Sequence, residues 1–170
     1  MKKFLLLLNL IVFTNVFSQT NKIIVTNNRN SPIYFYISAN NKSNLGQDCI
    51  PLAESTKITV LQPQSEVFYK IINNALSSNP AINDWKIIEV PNVYTVDLSL
   101  GQQASNDITN NTEWSHIKFY TDNPILNPNA QAYSLGPWCI VNPPSSQYSI
   151  SVSGMSAEWI DNGEISVIIN

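Results

Sequence analysis

Apolar and polar residues exchange places almost position by position along most of the chain, the period-2 pattern of half-buried β-strands. The alternating segments are 22–26, 33–38, 57–61, 66–72, 85–90, 93–98, 115–121, 147–153, 157–160 and 164–169. Ile, Val, Tyr, Phe and Thr dominate them, and these side chains suit a pleated surface. No long window keeps a helical period. Segment 73–84 has room for one helical turn, because Pro80 and a run of Asn and Asp cut it short.

Turn chemistry separates the segments. Residues 27–30, Asn-Asn-Arg-Asn, link the first two, and Gln-Pro-Gln-Ser at 62–65 links the next pair. Asp161-Asn162-Gly163 predicts a type I′ hairpin, since Asn-Gly accepts positive φ. Segments 99–114 and 122–146 carry no alternation, and loops of that length in compact domains are uncommon and often functional. Short strands at this spacing predict an all-β, antiparallel β-sandwich of jelly-roll or immunoglobulin-like form with about eight to ten strands. A closed β-barrel is the alternative.

Residues 1–18 break the pattern. Lys2 and Lys3 precede an apolar run over 4–13, and Val16 and Ser18 are small residues at the positions a signal peptidase reads. The run is shorter than the roughly 20 residues a membrane span needs. A signal peptide over 1–18 cut near Ser18, followed by a single domain over 19–170, predicts a secreted or periplasmic protein without membrane insertion. Losing Lys2 and Lys3 takes the formal charge from −3 to −5. That charge, with Arg29 as the only arginine, excludes the clustered cations that nucleic acid binding needs.

Only 12% of the residues are charged, and Asn, Gln, Ser and Thr supply the remaining polarity. Cys49 and Cys139 are the only cysteines, and an oxidising compartment predicts a disulfide between them. Closing a loop of about 90 residues would remove on the order of 4–5 kcal/mol of unfolded-chain freedom in the entropy account. It would also pin the 122–146 loop against the 39–55 loop. The stretch 23–41, strand, Asn-rich turn and strand, resembles the start of thaumatin-like sandwiches; those carry many disulfides and an acidic cleft. With one cysteine pair here, the resemblance transfers no site residue.

Catalytic chemistry finds few footholds. His116 is the only histidine, no G-x-S-x-G elbow is present, and zinc sites usually need several His or Cys ligands. With five glycines there is neither a P-loop nor a dinucleotide fingerprint. The expectation is no catalytic residue, no metal site and no cofactor. The nearest exception is calcium on the loop oxygens of Asp107, Asp161 and Glu164, which do not match an EF-hand spacing. Glu113, Asp122, Glu158 and Asp161 lie near aromatics, so a carboxylate-based glycan hydrolase is the enzyme alternative.

Four tryptophans and seven tyrosines then shape the picture. In 33–38 alternation puts Ile33, Phe35 and Ile37 on one face and Tyr34, Tyr36 and Ser38 on the other. In 112–123, Ile117 and Phe119 point one way, and Trp114, His116, Lys118, Tyr120 and Asp122 the other. Flat rings cover apolar sugar faces while polar neighbours fix orientation. The expectation is a non-catalytic carbohydrate-binding module using Trp114, His116, Lys118, Tyr120 and Asp122 first, with Tyr34 and Tyr36. The alternative partner is an extracellular protein, with the chain acting as adhesin, inhibitor or assembly subunit; the bland reading is a solvated or covered sheet face.

The disulfide is tested by alkylating the native protein with a thiol reagent. Neither Cys49 nor Cys139 should react without a reductant, and labelling of both would contradict the pairing.

Overall fold

The structure is a computed structural model that describes residues 22–41, 49–137 and 147–170. Segment 1–18 and Cys139 lie outside the described residues. Among the described residues twelve strands fall in chain order: β1 (Ile23–Asn27), β2 (Ile33–Asn40), β3 (Leu52–Ser55), β4 (Thr59–Leu61), β5 (Ser65–Tyr69) and β6 (Asp84–Glu89). They continue with β7 (Asn92–Asp97), β8 (Glu113–Tyr120), β9 (Ala132–Leu135), β10 (Ser149–Val152), β11 (Met155–Asp161) and β12 (Ile165–Ile169). A five-stranded sheet has the order β10-β11-β12-β1-β5. A seven-stranded sheet has the order β7-β6-β3-β2-β8-β9, with β4 also paired to β2. The chain is an all-β sandwich, and the sheets do not close into a barrel.

One pairing departs from the antiparallel expectation. β1 and β12 run parallel in the middle of the smaller sheet, Ile23 opposite Ile165 and Val25 opposite Val167. These strands are far apart in sequence, so no hairpin fixes their relative direction.

The core forms because alternation works. Ile23 and Val25 of β1, Val67 and Tyr69 of β5, and Val167 and Ile169 of β12 are buried from one sheet. Ile33, Phe35 and Ile37 of β2, Trp85 and Ile87 of β6, and Ile117 and Phe119 of β8 are buried from the other. Phe35 meets Tyr69 edge-on at 6.4 Å between ring centroids, joining the two sheets. Burying side chains of this size contributes roughly 1.5–3 kcal/mol each.

The strand that departs from simple alternation is β8. Ser38 of β2 faces His116, yet the next residue, Ala39, faces Trp114, so Ser115 is an extra residue, a β-bulge. The bulge flips the phase of everything before it. Trp114 therefore shares the inward face with Ile117 and Phe119, 2% exposed, 5.9 Å from the Trp85 ring. Its indole Nε1 donates to the Lys70 carbonyl at 3.0 Å, and the Ser115 hydroxyl donates to the Ser38 carbonyl at 3.3 Å.

Other differences from expectation have local causes. β3 (Leu-Ala-Glu-Ser) and β9 (Ala-Tyr-Ser-Leu) are too short and too poor in β-branched residues to stand out, and their partners place them. Asp161 pairs with Ile165, so Asn162, Gly163 and Glu164 form a three-residue turn in which Gly163 takes φ +99°. A two-residue type I′ turn would shift the register by one and set inward Trp159 opposite outward Ser166; face matching outweighs turn preference. Segment 99–114 is not an open loop. It holds a helix, α1 (Asn106–Asn111), capped by the Ser105 hydroxyl accepting from Ile108 N–H at 3.3 Å. The helical turn expected in 73–84 is a 3-10 helix over Ile72–Ser77.

Gly136 lies beside the bulge at φ +118°, where an added Cβ would come within 2.3 Å of the Ser115 carbonyl oxygen. Gly154 also has positive φ, +78°, but open space around it. Gly136→Ala should therefore lower unfolding free energy by about 2 kcal/mol or more, and Gly154→Ala by about 1. Urea denaturation checks both; equal losses would show that strain in φ, rather than contact with the bulge, sets the cost.

Candidate functional site

The solvent side of the larger sheet gathers five of the seven expected contact residues. Tyr34 stands directly opposite Tyr120, and Tyr36 directly opposite Lys118, across the β2–β8 ladder. Directly opposed side chains on one face have Cβ atoms about 4.5–5.5 Å apart, close enough to form one surface. The three tyrosines are half-buried and Lys118 is exposed. Lys118 Nζ lies 5.5 Å from the centroid of the Tyr120 ring. Val60 of β4 and Ala132 of β9 flank the Tyr34–Tyr120 row, and Ser134 of β9 stands beside Lys118. Burial raises the Tyr36 hydroxyl pKa, the neighbouring Tyr120 adds to the rise, and Lys118 opposes it. Tyr36 is a neutral donor at ordinary pH.

Two expected members of the stripe change role. Trp114 is a core residue, carried inward by the bulge at Ser115. His116 does share the outer face, opposite Ser38, but it is only 6% exposed. Burial pushes its pKa down to about 3, and the Lys118 ammonium two residues along pushes the same way. A neutral, covered imidazole is a packing residue of this face. Asp122 is exposed on the bend beyond the end of β8.

The acids near aromatics are spread over both sheets. Glu113 and Tyr120 are roughly 23 Å apart along β8 at about 3.3 Å per residue, and Asp122 lies farther still. Glu158 and Asp161 belong to β11 of the other sheet. Glycoside hydrolysis needs carboxyls about 5–9.5 Å apart. Asp84 and Asp97 stand directly opposite each other on β6 and β7, a pair with no sequence signature. Lys57 pairs with Asp84, and Asp97 accepts from the Ser99 backbone N–H at 2.9 Å and from its hydroxyl, which holds the Asp97 carboxyl below its ordinary pKa. That cluster is a satisfied ion network.

Among the described residues, no group of three or more His, Cys, Asp or Glu is placed to hold a metal ion. Of the calcium candidates, Asp107 sits in the first turn of α1, and Glu164 pairs with Lys22 at 3.5 Å. Cys49 is fully buried, and among the described residues no cysteine is free. No helix among them is long and apolar enough to cross a membrane.

A feature with no strand signal lies between β8 and β9. Ile125 and Leu126 are 73% and 81% exposed. The Asn123 side chain accepts from Ile125 N–H at 2.9 Å, its carbonyl accepts from Asn127 N–H at 2.9 Å, and the Asn127 side chain accepts from Asn129 N–H at 3.1 Å. Two Asn-Pro turns thus hold two aliphatic side chains out in water. The repeated Asn-Pro at 123–124 and 127–128 was the available clue. No protein-family model, curated protein or solved structure matches the chain.

Because the folded His116 pKa lies near 3 and an unfolded histidine near 6.5, only the unfolded chain binds this proton between those pH values. Stability should therefore fall as pH drops from about 6.5 toward 3, by up to about 1.4 kcal/mol per pH unit from this residue. His116→Gln should flatten the wild-type slope across that window in urea melts at several pH values; equal slopes would contradict a buried neutral imidazole.

Proposed function

We propose that this chain is a secreted, non-catalytic module that binds carbohydrate on the outer face of the larger sheet, through Tyr34, Tyr36, Lys118 and Tyr120. The observation that carries the reading is the pair of direct cross-strand partnerships, Tyr34 with Tyr120 and Tyr36 with Lys118, on a half-exposed surface. Strands hold the rings in fixed spacing, so little ordering entropy is spent on binding. Three rings side by side on one face, with their hydroxyls and one ammonium, suit the apolar face of a pyranose and its polar rim.

A second reading, a protein-interaction module, is favoured by Ile125 and Leu126 on their braced loop. Exposed apolar side chains presented rigidly are what a concave apolar pocket accepts.

Polysaccharide affinity electrophoresis compares the readings in one experiment. Tyr34→Ala and Tyr120→Ala should each weaken retention about tenfold, close to 1.4 kcal/mol per ring, with unchanged melting temperature. The Ile125→Ser/Leu126→Ser double variant should be retained like the wild type. Retention that survives both tyrosine substitutions would remove the carbohydrate site from this face.

A further inference from the structure

We propose, resting on the carbohydrate reading of this face, that the ligand is an acidic polysaccharide, carrying a uronate carboxylate or a sulfate ester, and that Lys118 takes the anion.

The chemistry of the face is one-sided. A neutral sugar presents hydroxyls that both donate and accept, and a site for it gains from carboxylate or amide acceptors. The two rows that form the platform contain Val60, Tyr34, Tyr120 and Ala132, then Tyr36, Lys118 and Ser134. None carries a carboxylate or an amide. The ammonium of Lys118 only donates, and it sits between the Tyr36 strand on one side and Ser134 on the other, above the Tyr120 ring. Tyr36 stays protonated and able to donate.

Among the described residues the Lys118 ammonium lies over the Tyr120 ring and makes no ion pair. Lys22 pairs with Glu164 and Lys57 with Asp84, and neither pair involves Lys118. One row farther along, Glu54 stands directly opposite Lys86, a cross-strand pairing of opposite charges. Asp122 lies exposed on the bend past the strand end. Water and salt screen an exposed carboxylate, so Asp122 only weakly opposes an anion at Lys118. An anionic group on a sugar laid on the tyrosine face would meet this ammonium and flanking hydroxyls at once, the charge-assisted arrangement that strengthens hydrogen bonds.

Titration calorimetry of the intact protein tests this with four polymers: polygalacturonate, its carboxyl-reduced form, a sulfated galactan and the same galactan desulfated. At least one acidic polymer should bind about fivefold or more tightly than its neutral counterpart, and which one separates carboxylate from sulfate. Lys118→Gln should abolish that preference, so that the acidic and neutral forms then bind about equally. Equal affinity for acidic and neutral forms, or a preference that survives Lys118→Gln, overturns the inference. If Tyr120→Ala then weakens binding to both forms about tenfold, the carbohydrate platform still stands. Binding to none of the four overturns both.

Discussion

The extra residue at Ser115 governs both sides of the larger sheet. Without it, β8 would keep one phase, with Ser115 facing the core and Trp114 facing water beside His116. With it, Trp114 enters the core against Trp85 while His116, Lys118 and Tyr120 stay outward. A bulge forfeits about one ladder hydrogen bond, worth roughly 1 kcal/mol net. Burying an aromatic side chain contributes about 1.5–3 kcal/mol. The new bonds from the Trp114 indole to Lys70 and from Ser115 to Ser38 offset part of the loss. The balance favours the bulge, and Gly136 has no side chain because the Ser115 carbonyl occupies that space.

Rigidity at the other end of β2 comes from one buried amide. The Asn27 side chain donates to the carbonyls of Ser31 at 3.0 Å and Gln62 at 2.9 Å, and accepts from Arg29 N–H at 3.1 Å. It fastens the β1–β2 turn to the β4–β5 turn, close to where Tyr34 begins the platform. Arg29 extends the fastening by donating to the Gly154 carbonyl at 3.0 Å. The tyrosine face is thus built on strands anchored at the bulge and at this polar hub.

Much of this was legible in the sequence, and the reasons are specific. Long alternating runs such as 33–38 gave the right strands and faces, because burial of Ile33, Phe35 and Ile37 dictates the phase. Four-residue strands such as β3 have too little alternation to be read and depend on their neighbours for existence. Tyr34, Tyr36, Lys118 and Tyr120 fall on the outer face that alternation implies, because the pattern is continuous across them. Trp114 was misplaced because a bulge resets the phase and leaves no mark in composition. The cover over His116 likewise depends on tertiary packing. The opposition of Asp84 and Asp97 and the exposed Ile125 and Leu126 arise from register and turn geometry, which a period cannot report.

The central claim is that the outer face of the larger sheet is the binding surface, and residue-resolved NMR with a soluble acidic oligosaccharide tests it most directly. Amide and side-chain shifts should move at Tyr34, Tyr36, Lys118 and Tyr120, while Ile24, Phe68 and Ile168 on the opposite sheet stay in place. Shifts concentrated on the opposite sheet or at Ile125 and Leu126, with the four platform residues unmoved, would contradict the account.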